Sequence, residues 1–378
     1  MIDHIVIYNF RSLGQAVHLN LGPLTALVGI NGSGKSNVGD ALRFMSECLR
    51  EGLDTAVSRR NGINSLIRWS SGAPLRLGVV AAVSNIRGKG VWGFSLNQKP
   101  DGTFEVFREH GSWRAAAPDA PLHEFEVDQG KWITRPESLE PALERTTLVL
   151  PLISGDSRFH ELAAELKSIA IYQIFPDRLR EPQKPNPARP MLEHGENWTS
   201  ILKAMEASTW KPDLLAALSR IVGDIDDLKV AQLGSYQTVT FRHGSQQGRE
   251  RWFDASLESD GTLRCAGILT ALLQSPPLTL IGIEEPELTV HPGAIPVLYD
   301  FFRQAAQKSQ VLLTTHSPEL LDLLEVDEVR VVERKEGVTR ISPLAEEQRD
   351  AIKRSLLTPG ELMRAEGLRP EEPQPEEE

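Results

Sequence analysis

Residues 24–42 read LTALVGINGSGKSNVGDAL, and this stretch decides the fold. An apolar run ends at Val28, a glycine-rich turn follows, and helical spacing begins at Lys35. Residues 29–36 match the pattern G-x-x-x-x-G-K-[ST], in which backbone N–H groups and a helix N-terminus surround an anion. Apolar residues recur at intervals of three and four through residues 35–50, which predicts a helix. The chain therefore opens as an α/β protein with a phosphate-type loop.

The loop carries groups suited to a nucleoside triphosphate and its metal ion. Lys35 can reach the β- and γ-phosphates as a point charge. The Ser36 hydroxyl is a hard oxygen ligand of the kind that Mg²⁺ prefers. A glycine-rich turn that only happens to precede a helix is the alternative, and the apolar strand before it argues against that reading. The predicted nucleotide-binding residues of the loop are Asn31, Gly32, Ser33, Gly34, Lys35, Ser36 and Asn37.

A second set of candidate residues lies at 280–287, LIGIEEPE, where two adjacent carboxylates end an apolar strand. In open α/β sheets, ligands bind at the carboxyl ends of the strands. Adjacent carboxylates are costly there without a cation. We therefore predict that Glu284 holds Mg²⁺ and that Glu285 orients and deprotonates an attacking water. An exposed acidic turn is the alternative, and the phosphate-type loop makes it less favoured.

The remaining chain predicts an α/β protein with a mostly parallel core sheet. Apolar runs at 278–283 and 311–315, with helical spacing at 293–308 between them, indicate a parallel βαβ unit. Short alternating runs across 75–133 indicate an antiparallel β region. The other predictions are partly helical structure at 137–172, an extended loop or boundary in the proline-rich stretch 176–190, helices at 198–222 and 262–273, and a hairpin at 235–253.

Composition excludes several classes of protein. The chain has 378 residues, of which 40% are hydrophobic and 25% charged, which is typical of globular proteins. It has no apolar run of membrane-spanning length and no basic, apolar leader, so we expect a cytoplasmic protein without a membrane partner. Cys48 and Cys265 are too few for a disulfide framework. The formal charge of −11 argues against a uniformly nucleic-acid-coating surface, although a local basic groove stays possible.

Three further segments complete an ordered set with the loop and the acidic strand end. They are Tyr8-Asn-Phe10-Arg11-Ser12, Ser259-Asp-Gly-Thr262 and Thr314-Thr-His316-Ser-Pro. Together the five segments resemble the ABC-type ATPase heads of the SMC and RecF superfamily. The resemblance is closest to small prokaryotic AAA-type ATPases related to the OLD group. It covers residues 1–50 and 255–335, somewhat over a third of the chain.

The resemblance implies a P-loop NTPase of ABC-ATPase type with ATP and Mg²⁺ as cofactors. Ser259 and Gly261 match the signature motif, which contacts the γ-phosphate held by the other subunit. His316 matches the switch histidine that senses the same phosphate, and Arg11 matches an arginine near the nucleotide. The resemblance further places Glu287 and His291-Pro292 in the loop that crosses the dimer interface. From the residues alone, Ser259 is also typical of a plain helix cap and His316 of a structural histidine.

The sequence departs from the family pattern at three positions. Glu284 stands where the usual acidic residue is Asp, which leaves open whether it would contact Mg²⁺ directly or through water. Asp260 stands where many relatives have Gly. The Q-loop glutamine is not assigned, and Gln173 is the candidate.

These observations predict a domain arrangement. Residues 1–70 and 235–345 form the ATPase core, residues 71–234 an inserted β-rich and helical lobe, and residues 346–370 a C-terminal helical extension. Residues 371–378 form a disordered acidic tail. We expect no long coiled coil and no fused nuclease, because the sequence has no long heptad run and no DxD pair after His316.

The predicted function is an ATP-hydrolysing switch. It would act as a homodimer or higher even oligomer, joined head-to-tail around ATP, that controls a separate effector encoded nearby, such as a nuclease, in antiphage defence or DNA maintenance. One alternative is a RecF-like DNA-binding repair ATPase with an ATP-gated clamp. Another is a scaffold with structural ATP and negligible turnover.

Overall fold

The computed structural model describes residues 1–68, 76–139, 141–205, 210–244 and 251–372. Sixteen strands are found in these residues, and they form three sheets. The strands are β1 (Ile2–Tyr8), β2 (Val17–Asn20), β3 (Leu24–Val28), β4 (Leu77–Asn85), β5 (Gly88–Gln98), β6 (Phe104–Ala115), β7 (Leu122–Asp128), β8 (Lys131–Thr134), β9 (Ile169–Tyr172), β10 (Ile225–Leu233), β11 (Tyr236–His243), β12 (Arg251–Asp254), β13 (Leu280–Glu284), β14 (Gln310–Thr315), β15 (Val329–Lys335) and β16 (Val338–Pro343).

Twelve α-helices are described. The first of them, α1, is the helix predicted to follow the phosphate-type loop. No helix in the described part of the chain is both long and apolar enough to cross a membrane. The helices are α1 (Lys35–Arg50), α2 (Leu53–Ser58), α3 (Val149–Ile153), α4 (His160–Lys167), α5 (Pro176–Arg180), α6 (Trp198–Met205), α7 (Trp210–Val222), α8 (Asp260–Leu273), α9 (Ile295–Ala305), α10 (Pro318–Leu321), α11 (Glu346–Lys353) and α12 (Pro359–Ala365).

The core sheet has the strand order β16-β15-β3-β14-β13-β9. All neighbours pair in parallel except β15 and β16, which form an antiparallel edge. Every residue of β3, β13 and β14 is buried, as expected for strands covered on both faces. The predicted α/β fold with a mostly parallel core sheet is therefore confirmed.

Two hydrophobic cores lie on opposite faces of this sheet. Leu27 faces a core that also contains Val38 of α1 and Phe94 of β5. Its neighbour Val28 faces the second core, together with Leu263 of α8. Because successive strand residues point to opposite faces, one strand contributes to both cores. The phosphate-type loop, which follows Val28 directly, is thus anchored from two sides.

The antiparallel region forms a seven-stranded sheet with the order β2-β1-β4-β5-β6-β7-β8. Strands β4 to β8 come from the predicted antiparallel region, whereas β1 and β2 come from the segment assigned to the ATPase core. A third sheet, β10-β11-β12, is antiparallel and three-stranded. Strands β11 and β12 pair as the predicted hairpin requires, while residues 245–250 between them lie outside the described residues.

Two local predictions differ from the structure. The partly helical reading of 137–172 holds for α3 and α4 but is wrong for β9, which pairs in parallel with β13 in the core sheet. Its four apolar residues are too few to carry a helical or strand period. The proline-rich stretch contains helix α5, because Pro176 occupies a first-turn position, where its missing N–H costs nothing.

The core sheet also includes a strand from outside the segments predicted to form the ATPase core. Strand β9 comes from the 71–234 segment yet completes the core sheet at one edge. Residues 346–370 include α11 and α12, and the assignment of this range as a separate extension stays a prediction. Most of the predicted acidic tail, residues 373–378, lies outside the described residues.

A single buried amide ties the antiparallel sheet to the core sheet. Gln310, the first residue of β14, is 1% exposed. Its Oε1 accepts from the Ile2 N–H at 2.6 Å, and its Nε2 donates to the Ile2 carbonyl at 2.9 Å and to the Leu21 carbonyl at 3.2 Å. The same strand ends at Thr315, directly before the candidate residue His316, so the tie and the candidate site lie at opposite ends of β14.

Replacing Gln310 with Leu should destabilise the protein. The change leaves the buried N–H and carbonyl of Ile2 without this partner, which should lower the free energy of unfolding by about 3 kcal/mol. Urea denaturation followed by circular dichroism measures this loss. The control is Gln304→Leu on the exposed face of α9, which should stay within about 0.5 kcal/mol of wild type. Equal stabilities of the two variants would contradict the proposed tie.

Candidate functional site

The phosphate-type loop turns tightly around two glycines. Gly32 and Gly34 have φ angles of 78° and 110°, in the region that favours glycine. A Cβ atom on Gly34 would lie 2.2 Å from Thr339 Oγ1, and this hydroxyl donates to the Ser33 carbonyl at 2.7 Å. Helix α1 begins at Lys35, and the N–H groups of Asn37 and Val38 donate to the Gly34 carbonyl, whereas those of Lys35 and Ser36 precede the first helical hydrogen bond. These groups are available to an anion.

Side chains from distant parts of the chain support the loop. Asn37 Nδ2 donates to Ser12 Oγ at 2.6 Å, and Ser12 Oγ lies 2.7 Å from Thr339 Oγ1. A Cβ atom on Gly29 would lie 2.1 Å from the Val332 carbonyl oxygen of β15, so the loop packs directly on the sheet edge. The loop residues Asn31, Gly32 and Ser36 are exposed, and Ser33 and Lys35 are buried.

The Lys35 ammonium group lies inside the curve of the loop. Its Nζ donates to the carbonyls of Gly29 at 2.6 Å and Ile30 at 3.2 Å. Burial lowers the pKa of Lys35, and the nearby negative charges of Glu285 and Glu287 oppose that shift. The lysine is therefore close to the acidic strand end, as the sequence analysis predicts.

Glu284 ends β13 beside the start of α1. Its carboxylate is buried, and its Oε1 lies 3.4 Å from Arg43 Nη2. A Cβ atom on Gly39 would lie only 3.0 Å from Glu284 Oε1, so glycine makes room for the carboxylate. Burial raises the pKa of Glu284, while Arg43 and Ser36 oppose the shift. The two predicted metal ligands, Ser36 and Glu284, line the same cavity.

Glu285 and His316 meet at the ends of neighbouring strands. The Glu285 backbone has a φ angle of 46°, and its N–H donates to the Thr314 carbonyl at 2.9 Å. Its Oε1 lies 3.4 Å from His316 Nδ1. Glu287 Oε1 accepts from the His316 N–H at 3.1 Å and from the Thr315 hydroxyl at 2.6 Å. Glu287 therefore holds the loop after β13 against the loop that carries His316.

A cavity of about 670 Å³ opens beside these groups. Ser36, Glu284, Arg11 and Gln173 all line it. Arg11 Nη2 lies 2.9 Å from Asp40 Oδ2. Gln173 follows β9, so the strand that was not predicted brings the Q-loop candidate to the same cavity as Ser36 and Glu284.

Sequence reasoning missed a row of charged residues on α1. Asp40, Arg43 and Glu47 line the cavity with Ser36, at successive spacings of four, three and four residues. That spacing places all four on one helix face, a signal that the sequence does contain. Arg43 Nη1 also lies 2.7 Å from Glu193 Oε1, a residue for which no sequence pattern gives a signal.

The predicted signature residues lie at a different cavity. Ser259 caps α8, where its Oγ accepts from the Thr262 N–H at 3.2 Å. Ser259, Gly261 and His291 line a cavity of about 410 Å³. No residue lines both this cavity and the one beside Ser36. Within one chain the described structure therefore does not bring Ser259 and Gly261 together with Lys35.

Comparison with models of known protein families assigns the chain to one of them. The model described as "AAA domain, putative AbiEii toxin, Type IV TA system" matches residues 24–322. The chain belongs to this AAA-domain family. Comparison with curated protein sequences finds no match.

Solved structures agree on the fold of this AAA-domain protein. A structure of the SmcHead bound to the C-winged helix domain of ScpA matches with a TM-score of 0.57 and 17% identity, covering 93% of this chain and 99% of that one. An Smc head domain with an extended coiled coil, bound to the C-terminal domain of ScpA and derived from Pyrococcus furiosus, matches with a TM-score of 0.53 and 14% identity, covering 94% and 99%. The predicted ABC-type, SMC-like P-loop ATPase head is therefore confirmed as the fold. The closer relation to the OLD group stays a prediction.

Substitution of the two loop glycines should separate backbone strain from steric overlap. Gly32→Ala meets no atom within 4 Å and should cost only the strain of its positive φ angle, about 1 kcal/mol. Gly34→Ala adds the 2.2 Å overlap with Thr339 and should cost at least about 3 kcal/mol. Urea denaturation measures both, and Thr339→Ala should recover part of the Gly34→Ala loss. Similar losses for the two alanine variants would contradict this packing of the loop.

Proposed function

We propose that this AAA-domain protein binds ATP with Mg²⁺ and hydrolyses it. The observation that carries the proposal is that Ser36, at the end of the phosphate-type loop, and the buried Glu284 carboxylate line the same cavity. This shared cavity brings the loop and the acidic strand end to one place, where a triphosphate and its metal ion would be held together. The family, whose P-loop members generally use ATP and Mg²⁺, supports the same assignment.

Each residue of the site has a chemical task in this proposal. The first-turn N–H groups of α1 and the Lys35 ammonium bind the phosphate oxygens. Ser36 and Glu284 hold Mg²⁺, which when bound neutralises phosphate charge. Glu285 orients a water molecule and accepts its proton, and His316, beside it, contacts the γ-phosphate. Among the described residues no group of three or more His, Cys, Asp or Glu side chains could hold a metal ion, so phosphate oxygens and water complete the magnesium coordination.

The proposed active form is a dimer with two shared sites. The Lys35 and Ser259 regions line separate cavities, so a second copy supplies Ser259 and Gly261 to each nucleotide. Exposed apolar side chains flank the same loops, which supports burial of this face. These side chains are Ile30, Phe175, Leu257 and Leu288, with 78%, 39%, 72% and 38% of their surface exposed. Hydrolysis would then be linked to opening of the dimer, which makes the protein a switch.

The switch would act on a partner protein. The family description names a putative toxin of a Type IV TA system, which supports a two-component setting such as the predicted effector. The two Smc head structures carry a bound ScpA domain, which supports partner-protein control by this fold. The basic side chains of the proline-rich stretch give little support to a DNA clamp: Arg180 pairs with Asp260 at 2.5 Å, and Arg178 lies 3.6 Å from Glu181.

Lys35→Ala should lower ATP affinity by at least about 100-fold, because it removes the charge that meets the β- and γ-phosphates. Isothermal titration calorimetry with ATP and Mg²⁺ measures the affinity, and a phosphate-release assay measures turnover. The exposed Lys353→Ala on α11 is the matched control and should bind ATP like wild type. Wild-type turnover in Lys35→Ala would remove the loop assignment. A wild-type protein that binds ATP without releasing phosphate would instead favour the scaffold function.

Glu285→Gln should lower the hydrolysis rate by about 100- to 1,000-fold while ATP still binds, because the amide cannot accept the water proton. The ATP-bound form should then accumulate as a dimer, which light scattering coupled to size-exclusion chromatography detects. The exposed Glu346→Gln is the control and should hydrolyse ATP normally. If Glu285→Gln with ATP stays monomeric, the shared-site dimer is wrong.

A further inference from the structure

The residues on both sides of Ser259 are acidic, and each is held by a basic side chain from another element. Arg180, at the end of α5, lies 2.5 Å from Asp260 Oδ1 through its Nη2. The same Nη2 donates to the Glu258 carbonyl at 3.2 Å, and Nη1 lies 2.6 Å from Asp177 Oδ1. Arg180 therefore contacts the residue before Ser259 and the residue after it.

His243, the last residue of β11, holds the side chain of Glu258. Its Nε2 lies 2.7 Å from Glu258 Oε1, and its Nδ1 lies 3.0 Å from Asp224 Oδ2. The Phe253 ring packs edge-on against the imidazole at a centroid distance of 5.2 Å. The Glu258 side chain is only 6% exposed, so this ion pair is shielded from water.

The contacts of His243 require its charged form. A neutral imidazole has one N–H donor and one acceptor, whereas both ring nitrogens here face carboxylates. Burial lowers the pKa of His243, but the hydrogen bonds and charges of Glu258 and Asp224 outweigh it and raise the pKa above its ordinary value. Arg251 faces His243 across the β11–β12 pair, and Asp226, at the start of β10, pairs with Arg242.

We propose that Arg180 and His243 are positioning residues that hold the Ser259 turn in the orientation it presents to a nucleotide on the second copy. This inference rests on the proposed function. Neither residue lines the cavity beside Ser36 or the one beside Ser259, so both act through Glu258 and Asp260. Because Arg180 of α5 and His243 of β11 hold the two residues that flank Ser259, displacement of either element would misplace the Ser259 turn. The pairs thus give the three-stranded sheet and α5 a route to control hydrolysis.

The test is complementation between variants that damage opposite halves of the shared site. Arg180→Gln and His243→Gln should each lower ATP hydrolysis by about 10-fold or more, while ATP affinity stays within about 2-fold of wild type. Mixed with an equal amount of Lys35→Ala, each should regain about a quarter of the wild-type rate. Half of the dimers are then mixed, and each has one site of two with an intact loop and an intact signature turn.

Controls separate failure of this inference from failure of the proposed function. Ser259→Ala mixed with Lys35→Ala should complement in the same way, and its failure to do so would overturn the shared site itself. If Ser259→Ala complements but Arg180→Gln and His243→Gln do not, the positioning role is wrong. Arg87→Gln, which breaks a surface pair of 2.6 Å with Glu161, should keep wild-type activity. Thermal unfolding checks that each variant folds, and Arg180→Lys, which keeps the charge, should retain more activity than Arg180→Gln.

The pH profile gives a readout that a purely structural role for His243 would not change. The imidazolium is present below its raised pKa and is lost as pH rises through it. A glutamine side chain has one donor group and one acceptor, like the neutral imidazole. The ratio of wild-type to His243→Gln hydrolysis should therefore fall toward one as pH rises. A ratio that does not change with pH would overturn the assignment of the charged histidine.

Discussion

Backbone hydrogen bonds hold β14 between β3 and β13, with all three strands parallel. This pairing brings the phosphate-type loop, the acidic strand end and His316 to the carboxyl end of the sheet, because parallel strands end on the same side. The strands are buried on both faces, so a shift in register would expose or overlap core side chains on both. The cavity shared by Ser36 and Glu284 and the Glu285–His316 pair both depend on that register.

Much of the site could be predicted because its parts are short and local. The loop at 29–36, the carboxylates Glu284 and Glu285, and His316 each follow a strand, and their order was enough to place them together. Strand β9 was harder, since its four residues follow α4 with one residue between and carry no period. It was therefore read as helix, although long-range pairing with β13 decides its conformation. Helix α5 was missed because the five prolines of residues 176–190 suggested irregular structure throughout that stretch.

The contacts that hold the residues on both sides of Ser259 were not predictable from sequence. Arg180 meets Asp260 across 80 residues, and His243 of β11 meets Glu258, which follows the neighbouring strand β12. The two separations, 80 and 15 residues, follow no common spacing, and the pairs arise only once α5, β11 and the start of α8 pack together. The charged face of α1 was predictable in part. Its helical spacing is visible in the sequence, but the contact of Arg43 with Glu193 is not. In the described structure, the residues that the sequence predicts are therefore surrounded by charged side chains from distant parts of the chain.

The support of the loop by Thr339 has a consequence for how the protein is made. This hydroxyl donates to the Ser33 carbonyl, 306 residues earlier in the chain. Strand β15, which packs against Gly29, is also translated after the loop. A nascent polypeptide still attached to the ribosome therefore lacks the completed loop until the β15–β16 hairpin has emerged from the exit tunnel. The loop thus reaches its final shape long after its own residues have been synthesised.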